Sequence, residues 1–427
     1  MQMRPMDTNI KLHMAPPLGL LTIIQLLRKE HTLSLENENI QDIIYDDNPD
    51  LVGISVTVDT LPRAISIAQH FRQRGIPVVA GGIHITTAFD TVSPDCFDVL
   101  CVGAAEGTWP DIVHDFEKGT LKKLYICSHK LSPDLLVSPA YDFIGQDSYL
   151  YCNVVHTSRG CPFRCDFCYN SAPQRMYIHR PVEDVLADIR SVGGKHIMFI
   201  DDNFAGDPAW TRNLLKRIAP LGIKWNAAVS INAAFDSELL DLMRDSGCQS
   251  LFIGFESINP QSIQAVHKVQ NDIHRYEVAI RAIHERGIMI HASFVFGLDG
   301  DTPDTFSATR DWIIRNKIET VTSHILTPYP GTALYERMKA ENRLLTDDLS
   351  QYDTAHVVFQ PIGTGCRLGE FIHSKCLTNR LWHAAGIGHD SIPVHVKKRF
   401  SGHRKASGTA LSQPQRSRAK HLKIRRQ

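Results

Sequence analysis

The 427-residue sequence has no apolar run near the roughly 20 residues needed to cross a bilayer. Its N-terminus also lacks the basic-then-apolar pattern of a secretory signal, so a cytoplasmic location is expected. With 43% hydrophobic and 22% charged residues, the composition is that of an ordinary globular protein of two or three domains. A formal net charge of zero gives no strong nucleic-acid signal. Acidic residues are missing after Asp390, while Lys397, Lys398, Arg399, Arg404, Lys405, Arg416, Arg418, Lys420, Lys423, Arg425 and Arg426 follow. A tail of one charge sign predicts a solvated, unordered segment. Ten cysteines without a secretory signal do not make a disulfide framework. Cys96, Cys101, Cys127, Cys152, Cys248, Cys366 and Cys376 are scattered and read for the most part as free thiols among apolar neighbours.

Only Cys161, Cys165 and Cys168 cluster, in SRGCPFRCDFCYN (residues 158–170), and no fourth ligand accompanies them: His156 precedes the loop and His179 follows it. Structural zinc wants four closed ligands. A disulfide would strand one thiol, against cytosolic redox poise. A cubane iron–sulfur cluster fits better, because three thiolates on four irons leave one iron open for a non-protein ligand.

Around this loop run two series of alternating elements. The first holds a helix in PPLGLLTIIQLLRKEH, a strand in DLVGISV, a helix over Pro62 to Gly75, a strand in IPVVAGG, and a strand, loop and helix in DVLCVGAAEGTWPDIVHDFEKG. That order predicts an α/β fold with a doubly wound parallel sheet. Ligands sit outside the C-terminal strand ends of such sheets. Those ends here are Ser55, Val56 and Thr57; Gly81, Gly82, Ile83 and His84; and Gly103, Ala104, Ala105, Glu106, Gly107 and Thr108. MQMRPMDTNIKLHM offers no convincing opening strand, so either that strand is degenerate or the start of the chain is incomplete.

The second series begins at Val154 with strands in CNVVHTS, HIMFIDD, KWNAAVS, SLFIGFES, MIHASFVFG and TVTSHILTPYPG. Six βα units predict a partial (β/α)6 TIM-like barrel with its chemistry at the C-terminal rim. The cysteine loop, Asp201 to Asn203, Ser230, Asn232, Glu256, Ser257, Gly297 and Thr327 all fall on that rim. The expected organisation is a first domain over 1–125, a linker over 126–150, the barrel over 151–345, a C-terminal segment over 346–395 and an unordered basic tail over 396–427.

Cys161-Pro-Phe-Arg-Cys165-Asp-Phe167-Cys168, followed by an aromatic residue and placed after the first barrel strand, resembles the CxxxCxΦC signature of radical S-adenosylmethionine enzymes. PPLGLL, PDLVGISVTVDTLPRA, VVAGGIHIT and VGAAEGTWP are similar to the Rossmann-like cobalamin (B12)-binding domain that precedes the barrel in one subclass. The resemblance implies a [4Fe–4S] cluster on Cys161, Cys165 and Cys168, with S-adenosylmethionine on the open iron and cobalamin at the strand ends named above. It further implies that Phe167 and Tyr169 flank the adenine and that Asp202 and Asn203 approach the methionine moiety. Glu256, Ser257, Phe296, Gly297, Thr327 and Pro328 would line the rest of the S-adenosylmethionine site. Arg175 and Arg180 are candidates for its carboxylate or for surface ion pairs, Asp201 and Asp202 for capping the next helix, and Glu256 for pairing an arginine.

The implied reaction is methylation of an unactivated carbon of a small-molecule or lipid substrate, with electrons from a donor such as flavodoxin or ferredoxin. The alternatives are a radical rearrangement, cyclisation or methylthiolation without methyl transfer from cobalamin, and a non-catalytic metal-binding scaffold. No DxHxxG motif supplies a cobalt-ligating histidine, which leaves His84 as the candidate from the strand-end loops.

Overall fold

The computed structural model describes residues 15–127, 131–144, 149, 151–172, 176–362 and 420–426. The expected degenerate first strand lies outside them. The first sheet contains β1 (His31–Asn37), β2 (Leu51–Ser55), β3 (Val78–Gly81), β4 (Val99–Val102) and β5 (Leu124–Ile126), and β2 to β5 run parallel. Helices α1 (Leu18–Leu27), α2 (Leu61–Gln73), α3 (Ile83–Ala88) and α4 (Trp109–Glu117) connect or cover these strands. Proline in the first turn opens α2 and α4, where the missing N–H costs no helical bond. α1 buries Leu20, Leu21, Ile24 and Leu27 along one face, as its apolar spacing predicts.

The second sheet contains β6 (Val154–Val155), β9 (His196–Phe199), β10 (Lys224–Val229), β11 (Cys248–Glu256), β12 (Met289–Phe296) and β13 (Thr320–Ile325). These six run parallel in the order β13-β12-β11-β10-β9-β6, the expected partial barrel. A short antiparallel ribbon of β7 (Ser158–Arg159) and β8 (Ile178–His179) brackets the cysteine loop. Helices α5 (Val182–Val192), α6 (Pro208–Ile218), α7 (Ser237–Asp245), α8 (Pro260–Ala265), α9 (Tyr276–His284) and α10 (Pro303–Arg315) lie between the strands, and α11 (Ala333–Ala340) follows the last. Asp207 caps α6 by accepting from the N–H groups of Ala209 and Trp210, so the cap is not Asp201 or Asp202. No helix among the described residues is long and apolar enough to cross a membrane.

The tail corrects the expectation of a wholly unordered 396–427. Lys420–Arg426 forms β14, which lies inside the first sheet between β1 and β2 and antiparallel to both. Its register pairs Asn37 with Lys420 on one side and Ser55 with Lys420 on the other. In a doubly wound sheet of order 2-1-3-4-5, this is the position of the first strand.

The physical reason is a period-two pattern hidden inside the basic run. Leu422 and Ile424 are buried in the apolar core, while His421 and Lys423 alternate with them and meet an acidic complement. Lys423 Nζ lies 2.5 Å from Glu36 and 2.7 Å from Asp47, and His421 Nε2 lies 3.0 Å from Glu36. Burial pushes the Glu36 pKa up, but hydrogen bonds from His421, Lys423 and the Ile44 N–H outweigh it and hold the carboxyl below its ordinary value.

Candidate functional site

The cysteine loop is fixed at its entry by Asp201. One oxygen of this buried carboxyl accepts from the Thr157 N–H at 2.9 Å, the Thr157 hydroxyl at 3.0 Å, the Ser158 hydroxyl at 2.7 Å and the Ser158 N–H. Burial outweighs even these four donors and pushes the Asp201 pKa up to about 6. Gly160 then turns the chain at φ 80°, where an added Cβ would overlap the Met176 carbonyl, and its N–H donates to Asp202 at 3.1 Å. Arg180 is fully buried, not a surface residue. It donates to the His156 carbonyl at 3.0 Å, to Asp188 at 2.5 Å and to Ser138 at 2.8 Å, which commits it to structure. Arg175 lies outside the described residues.

The cysteine loop packs, at Cys165 and Asp166, against a segment that sequence reading passed over, residues 266–271. The Asp166 N–H donates to the Val266 carbonyl, His267 Nδ1 sits 2.7 Å from the Asp166 carboxylate, and the Gln270 amide donates to Cys165 Sγ at 3.3 Å. Burial raises the pKa of all three cysteines, that of Cys168 to about 11, which favours the protonated thiols. A bound metal must displace those protons. Among the described residues no three His, Cys, Asp or Glu side chains converge as on one mononuclear ion. Three thiolates on one loop fit a polynuclear cluster, where each takes a different iron.

The other residues expected around S-adenosylmethionine occupy the same rim. Asn203 hydrogen-bonds the Cys161 thiol and accepts from the Ser230 N–H at 3.2 Å. The Tyr169 ring lies 4.8 Å from that of Tyr329, and Phe167 packs beside Leu298 and Leu326. Glu256 ends β11 at φ 63°, a left-handed conformation rare for a side-chain-bearing residue, beside a shift of register at Gly254. Its partner is Lys268, not an arginine; the ammonium also donates to the Gly254 carbonyl at 2.9 Å. Ser257 accepts from the Asn259 N–H, Thr327 donates to the Ile325 carbonyl, and Gly297 donates its N–H to Asp301. Phe296 stacks on Phe306 at 4.6 Å, and Pro328 is buried.

A cavity of about 340 Å³ lies between the two strand rims. Ser55, Gly81, Gly82, Ile83, Gly103, Ala104 and Ala105 line it from the strand ends of the first sheet, and His156, Gly160 and Asp202 from the barrel. Gly82 is required by its φ of 99° and by Val56, whose backbone nitrogen an added Cβ would meet at 2.8 Å. The remaining strand-end candidates do not line the cavity. Val56 is buried in the core, Thr57 bonds Asp59 and Thr60, and Gly107 abuts Cys127. Thr108 meets Cys101 and the Ala104 carbonyl. His84 is buried beneath the lining residues Gly82 and Ile83 without lining the cavity itself, and desolvation pulls its pKa down to about 4. Glu106 forms a bidentate pair with Arg159 at 2.7 and 2.6 Å and so joins the two rims.

Sequence reading also missed His156 as a cavity residue. It is 7% exposed and lines the cavity, and among the described residues its Nε2 has no hydrogen-bond partner.

Two family models match the chain: the B12 binding domain over residues 12–113 and the radical SAM superfamily over residues 155–313. The chain is 31% identical to bacteriochlorophyllide d C-12(1)-methyltransferase of Chlorobaculum tepidum, over 81% of this chain and 78% of that relative. It is 28% identical to the hopanoid C-2 methylase of Rhodopseudomonas palustris, over 78% of this chain and 66% of the relative. In fold it is similar to TsrM of Kitasatospora setae, a radical S-adenosylmethionine methyltransferase solved with cobalamin and a [4Fe-4S] cluster bound. The TM-score is 0.57 and the identity 18%, covering 69% of this chain and 68% of that one.

Proposed function

The chain belongs to the B12-binding radical S-adenosylmethionine enzymes, and from that premise we propose that it is a cobalamin-dependent methyltransferase acting on an unactivated carbon of an apolar small molecule or lipid. The observation that carries this reading is the shared cavity. The glycine-edged strand ends of the first sheet and the chain leading into the cysteine loop open on one space. A methyl carrier and a radical source have to meet there.

Cys161, Cys165 and Cys168 would hold the cluster. Phe167, Tyr169, Asp202, Asn203, Glu256, Ser257, Phe296, Gly297, Thr327 and Pro328 would surround S-adenosylmethionine. Ser55, Gly81 and Gly82 would meet the corrinoid. The bound groups supply the radical and carry the methyl group, while the chain binds and orients them and excludes water. Asp201, Gln270 and Lys268 set the positions of the loop and of Glu256. Leu18, Leu20, Ile23, Leu131 and Leu136 give the cavity an apolar wall. That wall suits substrates of the kind named for the relatives, a bacteriochlorophyllide and a hopanoid. Electrons would come from a one-electron donor such as a flavodoxin or ferredoxin.

Anaerobic reconstitution with cobalamin tests the reading: about four irons per chain and one corrinoid are expected. Cys165→Ala should abolish the cluster absorbance, and an unchanged spectrum would overturn the ligand assignment. With methyl-labelled S-adenosylmethionine, label should appear in an extracted apolar acceptor. Deoxyadenosine formation without label transfer would favour radical rearrangement.

A further inference from the structure

Resting on the corrinoid reading of the cavity, we infer that His156 Nε2 is a hydrogen-bonding anchor for a peripheral amide of the corrinoid. It would be the point at which the barrel grips a cofactor otherwise cradled by the first sheet. His156 lines the cavity and is nine-tenths buried, and among the described residues its Nε2 has no hydrogen-bond partner. Buried polar atoms are hydrogen-bonded in the great majority of cases, and one left bare costs desolvation free energy that a ligand can recover.

The residue is held in place from both sides. Its carbonyl accepts from Arg180, which is itself locked to Asp188. Thr157 and Ser158, the next two residues, are tied to Asp201. The backbone that carries the ring is therefore anchored beside the cavity.

The chemistry of the wall selects the kind of partner. The imidazole lies close to two cations, Arg159 and Arg180, and is buried, which keeps it uncharged. Both cations are already paired, Arg159 with Glu106 and Arg180 with Asp188. This wall thus presents a neutral donor–acceptor, not a free positive charge. A neutral imidazole suits the uncharged carboxamides that ring a corrinoid better than a phosphate or carboxylate, which a free arginine would bind.

The test is an anaerobic titration of the cluster-loaded chain with hydroxocobalamin, followed by absorbance, for wild type, His156→Leu and His156→Gln. The leucine variant should bind about tenfold more weakly, which corresponds to about 1.4 kcal/mol. Glutamine can still hydrogen-bond and should recover most of the loss. Iron and sulfide contents should match in all three. Before cobalamin is added, His156→Leu should melt at or above the wild-type temperature, because it removes an unpartnered buried nitrogen.

Equal affinity of the leucine variant and wild type overturns the inference, as does a lower melting temperature of its cobalamin-free form, which would mark a structural role. A wild-type chain that takes up no hydroxocobalamin overturns the corrinoid reading itself and this inference with it. The first two outcomes leave that reading standing.

Discussion

Gln270 donates its amide N–H to Cys165 Sγ across 3.3 Å. A donor on a cluster thiolate stabilises the extra negative charge of the reduced cluster. Gln270→Ala should therefore move the reduction potential of the reconstituted cluster to more negative values. A redox titration followed by electron paramagnetic resonance reads the shift, and an unmoved potential would show that this hydrogen bond is lost once the cluster is in place. Lys268 is read in the opposite way, through stability. Its ammonium is the charge partner of a carboxylate only 9% exposed, so Lys268→Met leaves Glu256 buried and uncompensated, a loss of about 3–5 kcal/mol in urea unfolding. Adding Glu256→Gln should recover much of that loss. Without such recovery the pair is not the source of the cost. The cysteines were legible because their spacing is local, whereas Gln270 reaches Cys165 from 105 positions away and has no motif of its own.

β14 shows the same limit at the scale of an element. In the sequence its cations form a one-sign tail, and the alternation of Leu422 and Ile424 with His421 and Lys423 is too short to outweigh that impression. The acidic complement, Glu36 and Asp47, lies more than 370 positions away. The barrel strands are different. They are buried apolar runs closed by glycine, aspartate or proline signals, so their order and rim could be read directly. Deleting 420–427 should expose unpaired edges of β1 and β2 and uncover apolar surface worth about 1.5–3 kcal/mol for each of Leu422 and Ile424. The truncated chain should lose cobalamin uptake and keep its iron, and a synthetic KHLKIRRQ peptide should restore uptake. Full uptake without the strand would show the sheet to be complete without it.

The strand also carries a pH signature. Glu36 is held below its ordinary value of 4.5 in the folded chain, so the folded state binds fewer protons there than the unfolded one. Its contribution is fully present above pH 4.5 and is lost as pH falls through the lower folded value. Thermal unfolding between pH 6 and 3 should show a steeper acid loss in the full chain than in Glu36→Gln, and parallel curves would exclude the linkage.

Among the described residues, the two sheets are joined by a shared core and by the Arg159–Glu106 ion pair. A single apolar cluster runs from Leu21 and Ile24 through Ala140 and Tyr141 to Val154 and Val155, and the Ala140 N–H donates to the Leu21 carbonyl at 3.1 Å. Such continuity predicts one cooperative calorimetric transition, not one for each sheet. Arg159 and Glu106 add a directional link over the cavity, with the Glu106 side chain only 1% exposed. Glu106→Ala should cost about 1.5–3 kcal/mol, the range for hydrogen bonds to charged groups, and should leave a single transition because the apolar cluster persists. Since Arg159 stands two residues before Cys161, the same substitution should slow cluster assembly and weaken cobalamin binding together. A double-mutant cycle with Arg159→Ala measures the coupling. A coupling energy near zero, or two separate transitions in the wild type, would mean that the rims are positioned independently and that the cavity between them is not held by this pair.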